Sequence, residues 1–343
     1  MKALRIYLFL VIGICISFLS SCKNQDVEYD DYYYSAVYFA RQTPVRTLVM
    51  GEDTYDTSLD NEHKCQIYAT ISGVYNNSKK VEIGIEVDNS LCDNLYFDAE
   101  YTKPVKAMPS DYYQLSADKI ILNKEMMGAV DVQFTDKFFE DPEALSNTYV
   151  IPLKMTDVVN ADSILCGEPV GDNPSLTNSA SWDVAPMNYV LYCVKYINEW
   201  DGNYLRRGKD IINTGGNPVE NIRHKEYVEY DDVCSIATRN LSTAVMPVSL
   251  DGMGDYELVL SFNDEKECIV TTETDGYSIS NGNGKFVKDG DKNSWGNKDR
   301  DVIYLDYTIQ NEATGASCHT MDTLVIRDRG VAYETFTANY KEQ

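Results

Sequence analysis

The sequence is short of the residues around which most metalloenzymes and nucleic-acid binders are built. Its 343 residues hold three histidines, His63, His224 and His319, which stand far apart. No H-E-x-x-H string occurs, so a zincin-type metal site has no support. A G-x-S-x-G elbow and a phosphate-cradling glycine loop are also missing. No C-x-x-C is present, which removes zinc-ribbon and thioredoxin-like readings. Nothing in the chain asks for a metal or a cofactor. Basic residues are scarce, at 30 Lys and Arg against 54 Asp and Glu, for a formal net charge of −24. A chain this acidic lacks the basic footprint that nucleic acid requires, and anionic lipid repels it. An uncharged run of about 20 apolar residues, the length of a membrane span, is absent too; Ile6 to Leu19 falls short of it.

What is present begins at the N-terminus. Lys2 and Arg5 precede the apolar stretch, and Leu19-Ser20-Ser21-Cys22 closes it. This order is that of a secretory signal rather than a transmembrane helix, and it resembles a bacterial lipoprotein signal. The resemblance implies cleavage before Cys22 and lipidation of Cys22, with residues 1–21 removed. One acyl chain holds a protein only marginally, whereas two or more anchor it stably. Residues 22–34 then form an acidic tether, which cannot bury enough surface to fold alone. The tether is similar to the export signals of Bacteroidetes lipoproteins, which implies an outer-membrane anchor facing the cell exterior.

Nine cysteines remain to be placed. With Cys15 lost and Cys22 lipidated, Cys65, Cys92, Cys166, Cys193, Cys234, Cys268 and Cys318 are left, an odd set that cannot pair completely. Cys193, inside the apolar run Tyr189 to Val194, reads as a buried thiol acting as a small hydrophobe. Tyrosine is abundant, 26 against 10 phenylalanines and 3 tryptophans. It suits strands and offers a flat face with a polar tip. That composition fits a β protein meeting a ring-shaped polar ligand, and equally one with a wet core margin.

Period-2 alternation dominates. Val81 to Val87, Val130 to Phe134, Leu258 to Phe262 and Ile303 to Ile309 all alternate, with Asn- and Gly-rich breaks between runs. One helical turn is expected near Asp141-Pro142-Glu143-Ala144-Leu145, with proline in the first turn. The fold class is therefore all-β. Residues 35–197 read as an immunoglobulin-like β-sandwich. Residues 198–343 read as a lipocalin-like β-barrel or a second sandwich. The boundary falls at Asn198-Glu199-Trp200-Asp201-Gly202, where Asp-Gly signals a turn.

The runs Tyr112 to Ser116, Lys119 to Leu122, Val130 to Val132 and Tyr149 to Met155 resemble the N-terminal β-sandwich domain of many Bacteroidetes surface lipoproteins. That domain of unknown function also precedes the catalytic barrel of some family 18 endo-β-N-acetylglucosaminidases. Trp200 to Tyr204, Gly282 to Phe286, Lys298 to Asp301 and Asp322 to Arg329 resemble the adhesin-like C-terminal domain that accompanies it. The resemblance implies a non-catalytic, glycan-binding surface protein, working on oligosaccharide or polysaccharide beside an outer-membrane glycan importer. It carries over no binding residues. A glycoside hydrolase with an unrecognised carboxylate pair and an adhesin for protein are the alternatives.

Sugar recognition in water uses aromatic faces rimmed by hydrogen-bonding side chains, and aromatics are enriched at recognition surfaces. Trp295, in a polar loop, and Trp182, between Ser181 and Asp183, are the glycan-binding candidates. Trp200 is expected to pack between the domains. Asp289 to Gly296 begins like a calcium loop but has Ser294 and Arg300 where an EF-hand needs Gly and Glu, and reads as a polar connection. Asp251 to Glu257 reads as a hairpin turn leading into a strand rather than a catalytic string. Asp322-Thr323-Leu324 and Asp162-Ser163-Ile164 resemble O-glycosylation sites of the same phylum, the first weakened by its strand pattern.

Overall fold

The alternating runs of the first half become two facing sheets. The computed structural model describes residues 32–342; the expected signal peptide 1–21, Cys22 and the expected tether up to residue 31 lie outside the described residues. One sheet runs in the order Ser163–Ile164, Ala36–Tyr38, Lys64–Ser72, Met127–Phe134, Tyr113–Leu115. The other is built on Pro44–Val49, Tyr189–Ile197, Tyr149–Val159, Lys80–Val87 and Lys119–Asn123. Because side chains alternate across a strand, Val81, Ile83 and Ile85 face Ile67, Val130 and Val132 in one shared core. The expected helical turn forms as a 3₁₀ turn over Pro142–Leu145, with the Asp141 carboxylate accepting from Glu143 N at 2.9 Å.

The second half is a closed eight-stranded barrel, which decides between the two architectures expected there. Its strands are Gly202–Asn213, Asp232–Thr238, Thr243–Leu250, Gly254–Phe262, Glu267–Thr271, Tyr277–Asp291, Arg300–Asn311 and Ser317–Asp328. Closure comes from the first and last, paired from Asn203↔Asp328 to Asn213↔Ser317. The Asp251 segment is the tight turn between the third and fourth strands, with Gly252 at φ +80° and Gly254 at φ +90°, conformations that favour glycine. A further short strand, Val219–Arg223, flanks the outer half of the first.

The barrel interior is mainly apolar and encloses a buried ion network. Arg206 clamps Asp322 through Nε and Nη2 (2.8 Å for the latter), and Arg223 bridges Asp322 (2.7 Å) and Asp210 (2.6 Å). Thr320 Oγ1 donates to Asp210 at 2.9 Å. Both carboxylates are fully buried. Asp322 and Leu324 of the glycosylation-like string thus point into the barrel.

The chain does not end with the barrel. Residues 334–335 pair with Pro44–Val45, and 339–340 pair with Leu95–Tyr96, both in the first domain. Phe336 is buried in a cluster with Val45, Val150, Leu191 and Cys193, behind the strand Tyr189–Ile197. The expected 198–343 unit is therefore corrected: its last residues complete the first domain. Two-residue strands carry too little alternation to announce themselves. Cys193 is fully buried, and burial pushes its thiol up to about 12. The seven described cysteines are all unbridged.

Candidate functional site

The junction between the domains is a rigid turn. Asn198, fully buried, donates to the carbonyls of Asn240 and Thr243 and accepts from the amides of Trp200 and Asp201. Arg329 fastens the two domains by donating to the carbonyls of Asn198 and Asp201 (2.6 Å each), Met50 and Glu52 (3.3 Å each). Trp200 does not lie between the domains as expected. It is 4 % exposed and stacks on Phe262 at 3.9 Å, plugging the junction end of the barrel. It is an aromatic lid on the core.

A cleft of about 870 Å³ opens beside this plug, between Met50–Thr54 of the first domain and the barrel end. Its walls are densely charged. Lys266 pairs with Glu199, and Lys288 with Glu52 at 2.5 Å. Asp301 accepts from the Asp289 amide at 2.7 Å, and burial holds its carboxyl above the usual carboxylate range. Asp299 accepts from Asn293 N and Lys292, each at 2.9 Å. Within the calcium-like loop, the Asp291 carboxylate accepts from the Ser294 hydroxyl. Among the described residues no cluster of three or more His, Cys, Asp or Glu stands ready for a metal ion.

Trp295 lies on that loop, half-buried. Its indole N–H donates to Ile326 O at 3.1 Å, and the Arg300 guanidinium lies over the ring at 3.4 Å from the centroid. Beneath it, Leu205, Val302 and Val325 form a small apolar cluster on the outer barrel wall. Val228 packs on the same cluster. It belongs to a 3₁₀ turn that carries Tyr227 and Tyr230, 54 % and 66 % exposed, their ring centroids 6.0 Å apart and nearly perpendicular. This turn is pinned by Asp231, whose buried carboxylate accepts from Arg207 Nε and Lys225 N, both at 2.6 Å. The tertiary structure therefore brings Trp295 and a tyrosine pair onto one wall. The tyrosine pair went unnoticed in the sequence, although two Tyr three apart in the non-alternating run Lys225 to Asp232 were a legible signal.

Trp182 is not part of this wall. It stands on the small hairpin of Glu168–Pro169 and Trp182–Val184 in the first domain, with its indole N–H on Ser175 O at 2.8 Å. A separate groove of about 970 Å³ crosses the barrel near Ile269, Tyr304 and Met321. Of its two aromatic residues Phe262 is buried and only Tyr304 is exposed, and its charges are paired, Asp306 with His319 at 2.8 Å and Lys285 with Glu267 at 3.7 Å.

Comparison with known proteins places this geometry among Bacteroides chains. A family model described as a domain of unknown function, DUF5627, matches residues 199–330, and a model of an N-terminal domain matches residues 29–162. A crystal structure of a Bacteroides ovatus protein of unknown function is 43 % identical, with TM-score 0.84, covering 91 % of this chain and all of that one. A second B. ovatus structure of unknown function is 13 % identical with TM-score 0.43, covering 88 % of this chain and 99 % of its own. A third, from B. ovatus ATCC 8483 and named as a candidate carbohydrate-binding protein, is 10 % identical with TM-score 0.27, covering 88 % and 97 %. At those two scores neither bears on the fold or the function of this chain. A search of curated proteins returns no match.

Proposed function

We propose, on the premise that this chain belongs to the family of the 43 % identical Bacteroides ovatus protein, that it is a non-catalytic glycan-binding lipoprotein. In this reading Cys22 carries the lipid in the outer membrane, and the two β domains face outward to capture oligosaccharide for a neighbouring importer. The observation that carries the binding is the exposed pair Tyr227 and Tyr230, held rigid by Asp231 beside Trp295. Rigid aromatic rings give contact area at small entropic cost, and Tyr and Trp dominate binding energy where they are presented this way. Trp295 contributes through its edge, and Trp182 is a second, separate contact.

Tyr230→Ala and Tyr227→Ala are each expected to weaken binding to immobilised glycan by about tenfold or more, the equivalent of roughly 1.4 kcal/mol. Affinity electrophoresis across a panel of polysaccharides reads this directly. Unchanged affinity in both variants would remove the tyrosine pair from the site. Unchanged affinity in Trp295→Ala and Trp182→Ala would remove the tryptophans.

A second reading, a glycoside hydrolase, draws on Asp301. Burial holds its carboxyl up, and Asp289 beside it adds a second acidic group in the same cleft, the pairing that acid catalysis of glycosidic cleavage uses. Released reducing ends that vanish in Asp301→Asn would establish it; binding without product retains the first reading.

A further inference from the structure

Arginines in this chain are mostly matched with carboxylates, as expected where acids outnumber bases so heavily. Arg46 has Asp60, Arg207 has Asp231, Arg239 has Glu273, and Arg206 and Arg223 share Asp322. Arg329 has no carboxylate, but it is spent on four backbone carbonyls. Arg41 also lacks a carboxylate and lies over the Tyr333 ring, but it is exposed on the surface; Arg300 differs in its setting. It lines the interdomain cleft, half-buried, and among the described residues it has no acidic partner. Its Nε and Nη2 both lean on the single carbonyl of Trp295, at 3.3 and 3.2 Å, and its plane is fixed on the indole.

The acids next to it in sequence do not supply the missing charge. Asp299 is taken by Lys292 and the Asn293 amide, and Asp301 by the Asp289 amide. The lysines of the cleft, Lys266 and Lys288, are neutralised by Glu199 and Glu52. Burial alone acts on the Arg300 guanidinium, pulling its pKa down with no anion opposing it. A partly desolvated cation held in one orientation is poised for an anion that arrives from outside, and a guanidinium fork matches a carboxylate best.

We infer that Arg300, stacked on Trp295, is a specificity-determining residue that receives the carboxylate of an acidic sugar, a uronic or sialic acid residue of the captured glycan. This rests on the glycan-binding reading above and narrows its ligand class. The stacked pair puts a cation at the cleft mouth, while the sugar ring meets the aromatic wall that Trp295 shares with the turn bearing Tyr227 and Tyr230. A methyl-esterified or neutral sugar keeps the ring contact and loses the ion pair.

The test uses the purified full chain with polygalacturonate and its fully methyl-esterified form, and with sialyllactose against lactose. The wild type is expected to bind at least one acidic member about tenfold more tightly than its neutral partner, and the pair that responds identifies the source of the carboxylate. Arg300→Gln is expected to erase that preference while keeping affinity for the neutral form, and Arg300→Lys to restore part of it. Tyr230→Ala lowers acidic and neutral binding together, so ring contact and charge recognition are read separately. Equal far-UV circular dichroism and thermal midpoints show that the variants are folded. A wild type that binds neutral glycans without preferring acidic ones overturns this inference and leaves glycan binding standing. Full preference retained in Arg300→Gln overturns it as well. No binding to any of the four probes or to the wider polysaccharide panel overturns both.

Discussion

Asp322→Ala is expected to cost the barrel about 3–5 kcal/mol, because it leaves two guanidinium groups facing an empty place inside a closed wall. Arg206 loses its carboxylate partner, and Arg223 keeps only Asp210. Water cannot replace the lost carboxylate without entering the packed interior beside Tyr307, Leu324 and Leu305, all at most 2 % exposed. For a domain of this size the thermal midpoint should fall by roughly 6–20 °C. The paired replacement Arg206→Met with Asp322→Leu should recover most of the loss, since a buried ion pair is often worth no more than apolar residues of similar volume. A fall of less than about 1 kcal/mol for Asp322→Ala would mean that the network is hydrated rather than sealed.

Ending the chain after Gly330 should damage the first domain, not the barrel to which the tail is joined in sequence. The deleted residues supply Phe336 to the cluster behind Tyr189–Ile197, an edge pairing to Pro44–Val45, and Glu334, which accepts from Lys195 Nζ at 2.7 Å. Truncating a buried phenylalanine to alanine alone costs about 3–5 kcal/mol, and the pairing and the ion pair are lost with it. Hydrogen exchange reads the outcome by region. Amides of residues 45–49, Tyr189–Ile197 and Leu95–Tyr96 are expected to lose protection, while those of Leu258–Phe262 and Ile303–Ile309 keep theirs. Equal protection in both domains would show that the tail merely lies on the surface. Phe336→Ala, a gentler change, should show the same regional pattern at smaller amplitude.

These two expectations also mark where the sequence was readable. Val81, Ile83 and Ile85 announce a half-buried strand because the pleat sends alternate residues to opposite faces, and the structure buries all three. Cys193 announces burial because its run is apolar on both faces, and the strand is indeed covered on both. Asp322 gives no such sign. It sits at an inward position, yet a charged residue between Met321 and Thr323 reads as solvent-facing or as part of a surface motif. Only Arg206 and Arg223, 116 and 99 residues away, reveal that it is sealed inside. Trp295 stood out as a tryptophan in a polar loop. Nothing local showed that Arg300 would cover its ring or that Val228 would bring two tyrosines beside it.

The sequence by itself determined the main strands, a turn within Asn198-Glu199-Trp200-Asp201, just ahead of the Asp-Gly pair that signals it, and the all-β class, because each depends on residues within a few positions of one another. Tertiary structure alone decided that the second half closes as a barrel, that the tail returns to the first domain, and that Trp295, Arg300 and Tyr227 with Tyr230 share one wall. Closure pairs Asn203 with Asp328, and the tail pairs Val45 with Glu334. An alternating pattern is the same for a sandwich and a barrel; the choice lies in which distant edges find each other, and no local period encodes that.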